Sequence, residues 1–201
     1  MRNGLKFAIG LSIVTASLAL GGPASAKRWK NFDTSRGGPF FMGVSGGCSG
    51  SPCRLISGTK IIVWSNPPND GKNHQDQDWM GTPGSTTFVG NFLPSKTPQL
   101  AGLSIQNSSS SNGALVVVRD IVPGSSTPDQ TWEIKKAEDV GATTFAGCYI
   151  FQNVSTGKVA GVSGGIVQSG SNVIQWSLFM GTMGSPAGWH PDQFWCPTGD
   201  I

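Results

Sequence analysis

The chain has 201 residues with 29 glycines and 13 prolines, is 37% hydrophobic but only 12% charged, and carries a formal net charge of +3. Its 14 basic and 11 acidic side chains are not segregated by sign, so no phosphate-tracking surface is offered and nucleic acid is excluded as the expected partner in favour of a neutral one. No long stretch has helical periodicity, which excludes a helical bundle, and no apolar run makes a comfortable membrane span, which needs about 20 residues.

In chain order, Arg2 and Lys6 come first, followed by an uncharged, mostly apolar run from Phe7 to Gly22 and then the small residues of Pro23-Ala24-Ser25-Ala26. That is the pattern of a secretory signal peptide over residues 1–26. A secreted protein is therefore expected, extracellular or, in a Gram-negative cell, periplasmic, with no membrane span after cleavage. The remaining roughly 175 residues suffice for one domain with a real core. Residues 27–39 read as an N-terminal extension and 40–201 as the domain.

Short β-branched runs, "KIIVW" at 60–64, "ALVVV" at 114–118 and "NVIQW" at 172–176, lie between Gly/Pro-rich connections. They predict strands in an all-β fold with many turns. Four cysteines in an exported chain predict two disulfides, because their spacing matches no zinc site. Three pairings are open. The tight "CSGSPC" loop favours Cys48 with Cys53, which leaves Cys148 to Cys196.

Repetition organises the rest. The pattern Asp-Gln-x-Trp occurs at 76–79, 129–132 and 192–195. A second element, "MGVSGG" from Met42, "AGLSIQ" from Ala101 and "AGVSGG" from Ala160, precedes it in each copy, with one of the strand runs between. Three units of several short strands, none able to bury a face alone, predict threefold closure into a β-trefoil with lobes at about 40–90, 91–140 and 141–201. Trp79, Trp132 and Trp195 recur whatever else changes, so they are expected in the core near the threefold axis, with the preceding Gln fixing the local turn.

These Gln-x-Trp repeats, and "IFQNVSTGKVAGVSGGIVQSGSNVIQW" in particular, resemble the ricin B-type lectin repeat. The resemblance spans about Phe40 to Cys196, is strongest in the third copy and weakest in the second. It implies sugar sites built in each repeat from an Asp at the turn, an aromatic ending the middle strand, and the Asn/Asp-Gln pair opening Gln-x-Trp. Carried over, the carbohydrate-binding residues are Trp64, Asp76 and Gln77 in the first lobe and Trp176, Asp192 and Gln193 in the third. His190 is a further candidate there, since the two histidines, His74 and His190, share one repeat position where the second copy has Thr127. The second copy has Val118 aligned with the two tryptophans and is expected to be a dead site. Gly43, Gly102 and Gly161 stand where the family has its sugar-gripping Asp, so binding is expected to be weak, and Gly161→Asp is expected to tighten it. Trp189, on a Gly/Pro-rich loop, is expected to be exposed near the third site.

No catalytic, metal-binding or cofactor constellation is expected, and Asp76 and Asp192 belong to different lobes rather than one hydrolytic cleft. Two functions fit: a secreted carbohydrate-binding, lectin-like protein with one or two weak sites in lobes 1 and 3, whose partner is a glycan or polysaccharide, or a trefoil interaction or toxin-associated subunit with degenerate sugar sites, whose partner is another secreted protein chain.

Overall fold

The computed structural model describes residues 26–47, 55–65, 75–77, 79–80, 101–121, 127–181 and 188–198. Twelve strands are formed among them: β1 Ala26–Lys27, β2 Trp29–Asn31, β3 Phe40–Val44, β4 Ile61–Ser65, β5 Trp79–Met80, β6 Ala101–Ile105, β7 Val116–Asp120, β8 Trp132–Lys136, β9 Tyr149–Asn153, β10 Val159–Val162, β11 Val173–Trp176 and β12 Trp195–Pro197. The alternation expected of half-buried strands is clear in β8, where Trp132 and Ile134 are buried while Glu133 and Lys135 face outward and pair at 3.1 Å. The signal-peptide reading of 1–26 falls, except for Ala26, outside the described residues.

Three hairpins repeat: β3 with β4, β6 with β7, and β10 with β11, all antiparallel. They touch one another cyclically through single bridges, Lys60 to Val117, Leu115 to Ile174 and Asn172 to Ile62. Each Gln-x-Trp sits on a 3-10 turn, Gln75–Gln77, Pro128–Gln130 and Pro191–Gln193. The indole of the Trp that follows then donates from Nε1 to a carbonyl of its own hairpin: Trp79 to Met42 at 2.9 Å, Trp132 to Leu103 at 3.0 Å and Trp195 to Ala160 at 3.0 Å. All three rings are buried at the centre of one apolar cluster. Each ring removes about 150–250 Å² from water, worth about 4–6 kcal/mol at ~25 cal/mol/Å² before entropy is charged. The expected threefold architecture and the core role of the tryptophans are both present.

Two expectations are corrected by the strand pairing. The first concerns residues 27–39, set outside the repeats by sequence. β2 is hydrogen-bonded between β12 and β3, with Asn31 opposite Trp195 and Lys30 opposite Phe41. Asn31 Nδ2 donates to Asp192 O at 2.8 Å just as Asn153 Nδ2 donates to Asp129 O at 3.1 Å, so β2 is to the first lobe what β9 is to the third. Trp29, fully buried, meets Phe151 edge-on at 4.9 Å. A domain starting at residue 40 would lack this strand and open its sheet, so β2 belongs to the first lobe.

The second concerns register in the middle lobe. The indole bonds and the cyclic bridges together equate Met42, Leu103 and Ala160, and equate Ile62, Val117 and Ile174. Ser104 therefore occupies the place of Gly43 and Gly161, and Gly102 does not. Arg119 occupies the place of Trp64 and Trp176; Val118 is a fully buried core residue in the place of Val63 and Gln175.

Cys148 and Cys196 are joined, their Cα atoms 4.2 Å apart, while Cys48 and Cys53 lie outside the described residues. Around this bridge a second cluster forms with Phe145, Phe194 and Trp189. Trp189 is 5% exposed rather than displayed on its loop, and it packs edge-on against Phe194 at 5.8 Å. The reason is Gly181: a Cβ there would lie 2.1 Å from Trp189 Cδ1, so the ring seats on a bare backbone. Among the described residues no helix is long and apolar enough to cross a membrane.

Candidate functional site

In the third lobe, β10 and β11 supply Gly161 and Trp176, and the turn Pro191–Gln193 brings His190 and Asp192 against them. These residues, with Gln193 and Phe179, line a cleft of about 160 Å³. Trp176 is half-buried, its ring edge near the Gly113 turn of the second lobe. Phe179 is absent from the sequence reading although it stands three positions after Trp176. It stacks on His190 with ring centroids 3.9 Å apart and planes 15° off parallel. The cleft thus offers an apolar ring surface beside polar groups.

Asp192 is buried, with Oδ1 3.6 Å from Nδ1 of the half-exposed His190. Burial raises its carboxyl above the ordinary value, opposed by the charge of His190 and by the backbone N–H groups of Asp192 and Val162, with Asp33 adding a small push upward. The carboxylate lies over Gly161: a Cβ on that glycine would be 3.1 Å from Asp192 Oδ2 and 3.0 Å from Gln193 Cγ. The glycine is therefore no vacancy awaiting an acceptor. It is the space into which the carboxylate of the Gln-x-Trp turn leans, and Gly161→Asp would set a second carboxylate beside it.

Gln193 has both ends of its amide committed to the chain after β11, donating to Ser177 O at 3.0 Å and accepting from Phe179 N at 3.1 Å. It holds Trp176 and Phe179 in place. Gln130 does the same work in the second lobe, donating to Asp120 O at 3.1 Å.

The first lobe repeats the arrangement. Trp64, Asp76, Gln77 and Gly43 line a cleft of about 180 Å³. Trp64 is 48% exposed, and a Cβ on Gly43 would lie 3.2 Å from Asp76 Oδ2 and 2.9 Å from Gln77 Cγ. His74 lies outside the described residues.

The second lobe keeps the frame and changes its contents. Asp129 Oδ2 accepts from Ser104 Oγ at 2.7 Å and pairs with Arg119 Nη1 at 3.2 Å. Thr127, at the histidine position, hydrogen-bonds Gln130 through its hydroxyl. The lobe has no aromatic plane at this position, as expected, but because of Arg119 rather than Val118.

Solved structures share this architecture. A designed threefold-symmetric protein, ThreeFoil, superposes with a TM-score of 0.59 at 19% identity over 87% of this chain and 98% of its own. The fold is a β-trefoil. The C-half of the earthworm R-type lectin, in complex with GalNAc, matches over 86% of this chain and 97% of its own at 13% identity and a TM-score of 0.51. The Polyporus squamosus lectin, bound to the human-type influenza-binding epitope Neu5Aca2-6Galb1-4GlcNAc, matches over 88% of this chain but 49% of its own, at 12% identity and a TM-score of 0.54. No protein-family model matches the chain, and no curated protein matches it in sequence.

Proposed function

We propose that this trefoil is an exported carbohydrate-binding protein whose third-lobe cleft, with the matching first-lobe cleft, holds one sugar ring each. The observation that carries the reading is the convergence of Trp176, Phe179, His190 and Asp192 on one cleft. A pyranose presents an apolar C–H face and a polar rim. The aromatic pair suits the face, the Asp192 carboxylate accepts from hydroxyls, and the exposed imidazole of His190 donates to or accepts from a third. Gln193 positions the wall without spending a polar atom on the ligand. The cleft is smaller than the ~300–1,000 Å³ of sites that engulf small molecules, so each site is shallow and weak, and lobes 1 and 3 gain strength by engaging one polymer together.

The same layout supports binding over turnover, since Asp76 and Asp192 are supplied by separate lobes, whereas glycoside hydrolysis by paired carboxyls uses two of them roughly 5–10 Å apart across one cleft. The test is calorimetric or NMR titration of the protein lacking its leader with galactose, GalNAc and their oligomers. Trp176→Ala should weaken third-lobe binding about tenfold or more, a loss of ~1.4 kcal/mol or greater, with the melting curve preserved. Unchanged affinity removes Trp176 from the site. Absence of binding across a broad glycan array would favour a trefoil that docks another secreted protein.

A further inference from the structure

A cleft of about 470 Å³ opens on the second lobe, lined by Gln106, Asn107, Ser108 and Arg119 with Ser57 of the first lobe; unlike the clefts of the first and third lobes it is not lined by the Gln-x-Trp residues. Its turn is built differently from its counterparts. The first and third lobes carry Gly46-Gly47 and Gly164-Gly165 there, all at positive φ, and a glycine adopts that conformation without strain. The second lobe holds the same left-handed path with Asn107 at φ 55° and Ser108 at φ 51°. Two consecutive left-handed residues with side chains are costly, and such strain persists where the side chains serve a purpose the fold does not.

Arg119 takes the place of the stacking tryptophans. One nitrogen is anchored on Asp129, itself held by Ser104, which fixes the guanidinium while its side chain remains 49% exposed. A planar guanidinium carries five N–H donors in a fork that matches a carboxylate. Asn107, Ser108 and Gln106 add uncharged donors and acceptors beside it, and exposed Lys60 pairs across the ladder with Val117, which also lines the cleft.

We infer that the second lobe binds an acidic saccharide of the uronate type, its carboxylate taken by Arg119 and its hydroxyls by Asn107, Ser108 and Gln106. The saccharide part rests on the lectin reading; the carboxylate part rests on this lobe alone. Amide-resolved NMR titration with D-galacturonate, D-galactose, galactose 6-sulfate and acetate tests it. Galacturonate should shift the amides of 104–108 and 117–120, bind unchanged in Trp176→Ala, and bind at least tenfold more weakly in Arg119→Gln. Because Arg119→Gln also strips Asp129 of its cation, the variant carrying Asn107→Gly with Ser108→Gly serves as the second arm. It relieves the left-handed strain, so it should melt at or above the wild-type temperature and still lose galacturonate at least tenfold.

Galacturonate binding that survives the glycine pair or Arg119→Gln, or that is absent from the wild type, overturns the inference. Equal binding of galactose 6-sulfate overturns the carboxylate assignment, and equal binding of acetate overturns the saccharide one. If galactose binds nowhere while galacturonate binds through Arg119, the neutral-sugar function fails and this site stands.

Discussion

The second and third lobes share strand pairing, indole-to-carbonyl bond and Gln-x-Trp turn, yet their clefts differ in chemistry. In the third, Asp192 leans over a bare glycine backbone, faces the imidazole of His190 and shares its cleft with Trp176. In the second, the equivalent Asp129 is tied by the Ser104 hydroxyl and the Arg119 guanidinium. The frame fixes where the carboxylate sits. Its neighbours decide what it meets: backbone N–H groups and an imidazole in the third lobe, a hydroxyl and a guanidinium in the second.

The frame itself is the part whose loss costs most. Trp132→Ala in the second lobe should cost about 3–5 kcal/mol, lowering the melting temperature by roughly 10 °C. Third-lobe sugar binding should be lost only through unfolding. A Trp132→Ala protein that melts like the wild type would show that the Gln-x-Trp ring is dispensable and that the lobes do not share a frame.

Next in size is Gly161→Asp, whose Cβ meets Gln193 Cγ at 3.0 Å and whose carboxylate joins that of buried Asp192. We expect about 1–3 kcal/mol of destabilisation from crowding and no gain in affinity for galactose or GalNAc. Tighter binding would restore the vacancy reading. Gly161→Ser is the gentler exchange. It gives the third lobe the Ser104 hydroxyl and should tie up Asp192, weakening sugar binding more than it affects unfolding.

The reverse change, Ser104→Ala, removes a buried charge-assisted hydrogen bond from Asp129 and should cost about 1–3 kcal/mol in urea unfolding, leaving third-lobe binding untouched. Coupling between Ser104→Ala and Arg119→Gln in a double-mutant cycle would show that both act on one carboxylate; additivity would separate them.

The smallest expected effect is a pH slope. Because burial raises the carboxyl of folded Asp192, the native state holds more protons than the unfolded chain between the ordinary carboxylate value and the raised one. Stability is therefore greatest below that window, falls as pH rises through it, and stays reduced above it. Asp192→Asn should remove this part of the slope in melts taken upward in pH from the ordinary carboxylate value. An unchanged slope would place the titration elsewhere.

How far the sequence alone reached depends on the range of the interactions involved. The threefold repeat, the all-β class and the burial of Trp79, Trp132 and Trp195 were readable, because a ring that recurs with its Gln turn must pack the same way in each copy. Trp64, Asp76, Trp176, His190 and Asp192 were readable as candidates because the first and third copies match in step. The pairing of Cys148 with Cys196 was one of three possibilities, favoured in the sequence because the short spacing of Cys48 and Cys53 suggested that those two would pair with each other.

Tertiary structure alone decided the rest. Ser104 and Arg119, rather than Gly102 and Val118, took the site positions, because strand register is set by hydrogen bonds to other hairpins: the shift from Val118 to Arg119 is one residue and exchanges the buried and exposed faces, while that from Gly102 to Ser104 is two and moves the position along the strand. Phe179, for which the sequence offered no role, reached the cleft through a backbone bond to Gln193, while Trp189, expected to be exposed there, sank onto Gly181. Trp29 and Asn31 joined the first lobe because the end of the chain, at β12, lies beside them. A sequence motif records what each repeat does for itself; these placements came from what one repeat presses against another, which local pattern does not encode.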